Sequence, residues 1–349
     1  MGLIWYRSHS KRRVIDGLDI VTQGLLGATL AQAAAKKNEV KIAALIGFAA
    51  GMLADADALI QSSEDPLLYL EFHRHFTHSL LFIPVGGFLA ALILWPLLRR
   101  HLSFKRIYLF SVLAYATSGL LDACTSYGTT LFWPVSEERV AWSVVAIVDP
   151  VFSLILVVAI VWGVRKAKPL AARLGLLLVS CYLVLGVYQQ QRAYDAAIAL
   201  AEQRGHVVDR LVVKPTMANN ILWRSIYEAD GVFYVDGIRV GWFSPDKVYF
   251  GQNAARFDVE RDMPELKHDS VLHHDIERFR YFSNEFVILD TRRENVLIDV
   301  RYSMLPTTLT PLWGIDMNVK SKDEHVRFVQ YRDTSPDTRE QFTAMVLGR

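Results

Sequence analysis

The sequence predicts an α-helical polytopic membrane domain of about five or six spans followed by a mostly β extramembrane domain. Three observations carry that expectation. Long apolar runs are confined to the first half of the chain, although 52% of all residues are hydrophobic. Lys and Arg crowd into alternate loops between those runs. Beyond Gln189 the pattern changes to short alternating, β-rich runs broken by Pro and Asp-Gly. The chain has 349 residues, enough for two domains of ordinary size. The division expected is a basic tail over 1–17, a helical membrane domain over 18–190 and a soluble, mostly β domain over 191–349.

Taken in order, residues 1–17 are polar and basic and read as a mobile tail. Residues 19–35, DIVTQGLLGATLAQAAA, are helical in composition, but Thr22, Gln23, Thr29 and Gln32 weaken them as a span. Residues 42–60 form a better span that ends on Asp55 and Asp57. Residues 79–98 have the roughly 20-residue length that a bilayer requires. Further spans are expected over 107–124, ending at Asp122, then 144–164 and 172–188. A polar helix follows, then strands over 206–213, 220–228, 231–240, 278–289, 295–302 and 326–331, with a tight hairpin turn at Asp236-Gly237.

Loop charge sets the orientation. Lys36, Lys37 and Lys41, then Arg99, Arg100, Lys105 and Arg106, then Arg165, Lys166, Lys168 and Arg173 fall in alternate loops, and the remaining loops carry only Arg74 and Arg139. The positive-inside rule puts the first set in the cytoplasm. Asp55, Asp57, the HRHFTHS stretch, Asp122, Asp149 and the β domain then share the non-cytoplasmic face. A net charge of +2 gives no basic field for nucleic acid. Cys124 and Cys181 both sit in apolar segments and read as core thiols rather than a disulfide. No G-x-S-x-G is present, so Ser or Cys nucleophilic catalysis finds no support.

Charges at membrane depth are costly and tend to mark function. Asp55 and Asp57 at one span end, His73, His75 and His78 before the next, and Asp122 at a third make a set suited to a divalent ion. Zinc is the first expectation, with manganese or magnesium accepted by carboxylate-rich sites. Taken singly, each residue reads first as a polar loop side chain at the membrane surface, and Thr77 as a helix N-cap; only the set, clustered on one face, favours a metal. A second His-rich patch, His268, His273 and His274, reads as a surface loop.

The stretches LDIVTQGLLGATLAQA, GMLADADALI, HRHFTHSLLF and SGLLDACTSYGTTLFWPVSEERVAW, followed by IVDPVFSL, resemble the YdjM-like inner-membrane metal-dependent hydrolase family. The family pattern runs D-x-x-T-[HQ], P-D-x-D, H-R-x-x-T-H-S and H-x-x-x-D with an S-Y-G-T tail. The resemblance implies a multi-pass protein of the bacterial inner membrane and names Asp19, Asp55, Asp57, His73, His78 and Asp122 as ligands. Three positions depart from the pattern: Gln23 stands for a His, Ala54 for the Pro before the first Asp, and Ser118 for the His four residues before Asp122.

The leading expectation is a membrane-bound metal-dependent hydrolase. In it Asp55 and Asp57 help activate water, and Arg74 holds an anionic group. The preferred substrate is a phosphoester of a lipid or lipid-linked head group, with the bilayer as the partner surface. The competing expectation is a non-catalytic membrane-anchored sensor or assembly factor whose metal is a structural clip. A transporter is the weakest class, because its charges would lie in paired broken helices at mid-membrane.

Overall fold

The structure, a computed structural model, describes residues 9–319 and 322–349, with side chains from Ile20 onward. Two compact units emerge. Unit one comprises the chain to Leu59, Phe72–Val187 and Met217–Asn219; unit two comprises Ile60–Glu71, Tyr188–Thr216 and Asn220–Arg349.

Unit one is helical. Its elements are α1 (His9–Ala33), α2 (Val40–Met52), a 3-10 turn at Ala54–Leu59, and then, beyond the short α3 (Leu68–Phe72), α4 (Ile83–Leu98), α5 (Phe104–Cys124), α6 (Pro150–Lys166) and the first part of α7 (Pro169–Gln203). The stretch 9–17, expected to be mobile, continues α1, while residues 1–8 of the basic tail lie outside the described residues. Among the described residues four segments are long and apolar enough to cross a membrane: Val40–Leu59, Leu80–Leu98, Phe104–Cys124 and Pro169–Gln203. The expected spans over 19–35 and 144–164 are not among them. The second shrinks to the 17 residues of α6 because Asp149 caps that helix, accepting from the Val151 and Phe152 N–H groups, with Pro150 at its first position.

The polar residues of α1 that weakened it as a span face inward. Thr22, Gln23, Thr29 and Gln32 are buried, and the Thr22 and Ser153 hydroxyls lie 3.0 Å apart. Small residues let α1 and α2 approach: a Cβ on Gly27 would lie 2.6 Å from the Gly47 carbonyl oxygen. By contrast α4 and α7 turn Leu89, Leu92, Ile93, Leu177, Leu178 and Val184 outward, as lipid-facing helices do.

Unit two is layered. One antiparallel sheet has the order β1 (Arg210–Pro215), β2 (Leu222–Ala229), β3 (Val232–Arg239) and β4 (Lys247–Tyr249), with β5 (Asn253–Ala255) on the other half of β3. A second, also antiparallel, runs β6 (Val287–Leu289), β7 (Val296–Asp299), β8 (Trp313–Asp316) and β9 (Arg327–Gln330). Strand alternation assigns the faces. Ile226, Phe233 and Val235 share a core with Ile288, Val296 and Ile298 of the second sheet. Trp223 and Ile238 face the other way, onto Ala193 and Ala197 of α7. Val287, Leu297 and Ile315 pack with Leu272, Ile276 and Phe279 and with Leu67 and Leu70 of the inserted segment.

Two expectations for this unit fail. Asp236 and Gly237 lie inside β3 and make no turn; Asp236 is buried and paired with Arg204 at 2.7 Å. The hairpin turn is one Asp-Gly earlier, at Asp230 (φ 52°) and Gly231 (φ 72°), two consecutive positive φ values as a type I′ turn requires. The strand expected over 278–289 is helical in its first part. After the short α8 (Val259–Asp262), α9 (Val271–Phe282) is capped by Ser270 and buries Leu272, Asp275, Ile276 and Phe279 at helical spacing. The chain closes with α10 (Pro336–Leu347).

Candidate metal centre

The site lies wholly within unit one and is built from two 3-10 turns and a helix end. The turn after α2 carries Asp55 and Asp57, the turn Phe76–His78 carries His78, and the last turn of α5 carries Asp122. Gly119, one turn before Asp122, has a packing reason: a Cβ there would collide with the His78 carbonyl. That close approach brings the imidazole beside the carboxylate.

Asp55, His78 and Asp122 each offer one ligand atom, all within 4.8 Å of one another, and all three residues are buried. His78 Nε2 stands 3.3 Å from Asp55 Oδ1 and 3.0 Å from Asp122 Oδ2. Ligands at the 2.0–2.2 Å distances of zinc, set tetrahedrally, stand roughly 3.3–3.6 Å apart. Both Asp55 oxygens, His78 Nε2 and Asp122 Oδ2 are buried and make no hydrogen bond among the described residues. Buried polar atoms are normally satisfied, so this convergence is the shape of a cation site. The charge count agrees. Asp55, Asp57 and Asp122 are three buried carboxylates facing one buried guanidinium, Arg74, so a divalent cation closes the balance.

Of the remaining predicted residues, Asp57, His73 and Arg74 lie beside that triad or its neighbours. Asp57 sits behind the imidazole, with Oδ2 3.2 Å from His78 Nδ1, the carboxylate–histidine arrangement that orients a metal ligand. Asp57 also organises the HRHFTHS turn: it accepts from the Thr77 hydroxyl at 2.5 Å and the Arg74 N–H at 2.9 Å, and its Oδ1 lies 3.2 Å from His73 Nδ1. His73 thus reaches Asp57, and the converging group of three does not include it. His75 packs edge-on to Phe72, Phe76 and Trp133. Thr77 does not cap a helix; Ser79 does, accepting from the Phe82 N–H. Asp19 lies outside the described side chains.

Arg74 is buried. Its φ of 58° is a strained value for a side-chain-bearing residue, held by the Asp57 bond to its N–H and by the Thr129 hydroxyl donating to its carbonyl at 2.8 Å. The guanidinium Nε stands 3.2 Å from Asp122 Oδ2 and over the Tyr127 ring. Gln23, singled out in the sequence as standing for a motif His, donates its amide to Asp122 Oδ1 at 3.0 Å, a partner the sequence did not name. The signal was a polar side chain in an apolar helix, which needs a buried partner. Ser118 is spent elsewhere: its hydroxyl donates to the Gly51 carbonyl at 2.8 Å. Burial opposes a charge on His78, but the carboxylates of Asp122, Asp55 and Asp57 outweigh it and hold its pKa well above the ordinary imidazole value.

Comparison with known proteins places this geometry in a family. The chain is similar to the uncharacterized protein YfhP of Bacillus subtilis (strain 168), with 25% identity over 225 residues. The match covers 64% of this chain and 65% of that protein. No solved structure matches. Residues 18–193, half of the chain and every residue of the centre, match the family described as YdjM inner membrane protein, and the chain belongs to that family.

Proposed function

We propose that the protein is a metal-dependent hydrolase of the bacterial inner membrane. It holds one divalent ion, zinc foremost, through Asp55, His78 and Asp122. The observation that supports this most is the ligand count: three protein ligands with their free atoms converging are the complement of catalytic zinc sites, which leave a position open. An ion bound there supplies a Lewis acid and lowers the pKa of a coordinated water. Asp57 keeps the imidazole of His78 aimed at the centre through Nδ1. Arg74 brings a fixed positive charge beside Asp122, suited to an anionic oxygen of the substrate. The substrate class we favour is a phosphoester of a lipid or lipid-linked head group, met on the non-cytoplasmic side that loop charge assigns to the centre.

A second reading has its own observation. His78 is 2% exposed and Asp122 0%, so a substrate needs the site to open, whereas a structural metal clip in a sensor or assembly factor does not. Metal analysis of wild type and His78→Ala, beside hydrolysis of a generic phosphodiester and of phospholipid vesicles, separates the two. Bound metal with turnover, both lost in His78→Ala, supports the hydrolase. Stoichiometric metal with no turnover across the panel supports the clip.

A further inference from the structure

We propose that the loop Gly241–Asp246 of unit two is a membrane-interface anchor that inserts Trp242 and Phe243 into the head-group region of the lipid bilayer. Its side chains are the wrong ones for a soluble loop tip. Phe243 is fully exposed and Trp242 is 40% exposed, in a turn held by an Arg239–Ser244 hydrogen bond of 2.7 Å. Exposed aromatics at a loop tip call for a partner surface, and Trp in particular favours the membrane–water boundary.

The path of β3 along α7 identifies that surface. Tyr234 packs in one cluster with Ala201, Ile238 with Ala193 and Ala197, and the Val240 carbonyl accepts from the Gln189 amide at 2.9 Å. β3 therefore descends α7 toward its apolar half. The chain then turns at the level where that half ends. Arg192 fixes both sides of the turn, donating to the Gly241 carbonyl at 3.1 Å and to Asp246 Oδ1 at 2.7 Å. Directly before Gln189, α7 exposes Val184, Leu185, Val187 and Tyr188, the last of the apolar residues in a helix long and apolar enough to cross a membrane. Trp242 and Phe243 thus lie on a loop tied to Arg192, about one helical turn beyond Tyr188. Arg192 is the first charge on α7 after Arg173, where a span meets water. Interfacial side chains of this kind reach about 5–10 Å into the head-group and acyl boundary. The inference rests on α7 crossing the bilayer and is independent of which side unit two occupies.

The test uses the full chain in phosphatidylethanolamine–phosphatidylglycerol vesicles. Tryptophan fluorescence of wild type and Trp242→Phe is compared with lipids brominated near the head of the acyl chain. The variant is expected to lose a component that the brominated lipid quenches; loss of a component quenched only by aqueous iodide would overturn the anchor. Environment-sensitive labels at Phe243→Cys, Val184→Cys and Val207→Cys, with Cys124 and Cys181 replaced by Ser, give a second measurement. Val207 lies beyond the far end of α7 and is 82% exposed, so its label should stay in water. Lipid contact at 184 and 243 supports the proposal. Contact at 184 alone refutes the anchor, and contact at neither refutes the span as well.

Discussion

Replacing Gln23 by Leu tests how the centre is tuned without touching a ligand. The substitution keeps the volume and removes one N–H, the donor 3.0 Å from Asp122 Oδ1. Both partners are fully buried, so no water replaces the bond. A hydrogen bond to a charged group is worth about 1.5–3 kcal/mol, a factor of roughly 10–150 in an equilibrium constant. Substitutions of residues that orient metal ligands cost about 10–100-fold in affinity, an independent figure that agrees. The expected result is metal retained but bound roughly 10–100-fold more weakly, read by competition against a chelator of known affinity. Gln32→Leu is the control: it removes another buried amide of α1, which donates to the Val40 carbonyl at 3.4 Å, remote from Asp122. Unchanged affinity in Gln23→Leu, or an equal loss in Gln32→Leu, refutes the role of Gln23.

Other outcomes can be checked alongside it. His78→Ala should abolish metal binding measured by elemental analysis, whereas His75→Ala should leave it intact, since His75 packs on aromatic rings. Asp57→Asn should retain the ion with affinity reduced about 10–100-fold, as for a group that orients a ligand. In unit two, burial works to raise the Asp65 carboxyl but Arg278, 2.8 Å away, outweighs it and holds the pKa below the ordinary value. The stabilisation from Asp65 is therefore complete above the unfolded value of about 3.9 and is lost as pH falls through the lower folded one. Hydrogen exchange at Leu67–Glu71 should rise over that acid range, and Arg278→Ala should produce the rise already at pH 7. A reporter fused after Arg349 should be active only outside the cytoplasm, and cytoplasmic activity would reverse the orientation.

How much of this was legible in the sequence depended on whether the deciding contact was local. Asp55, His78 and Asp122 could be found because carboxylates and imidazoles at the ends of apolar runs have few other reasons to be there. Their division of labour could not. Asp57 is two residues from Asp55, yet it turns to the opposite nitrogen of His78, and only the fold of the intervening loop decides that. The polar residues of α1 were visible but read as weakness, whereas they point inward and Gln23 reaches a residue 99 positions away. In unit two both Asp-Gly pairs carry the same local signal. Arg204 binds Asp236 within a strand, leaving Asp230-Gly231 to turn. The helix α9 is legible in the Ser270 cap and the spacing of Leu272, Ile276 and Phe279, although the β-rich run that begins at Arg278 overlaps its second half.

Residues 60–71 have a consequence for biogenesis. They join Asp57 to His73, yet Leu67 and Leu70 are buried in the core of unit two with Phe257, Ile276 and Phe279, and Arg278 clasps Asp65 and Glu71. Leu67 leaves the ribosome about 190 residues ahead of Phe257, which at ordinary synthesis rates is a wait of roughly 10–40 s. Through that interval the two leucines have no core to enter, and the loop that sets the spacing of the two metal motifs is untethered. The loop therefore gains its packing only after the β domain has been translated. A chain stopped after Val187 keeps Asp55, His78 and Asp122 but lacks the residues that bury Leu67 and Leu70.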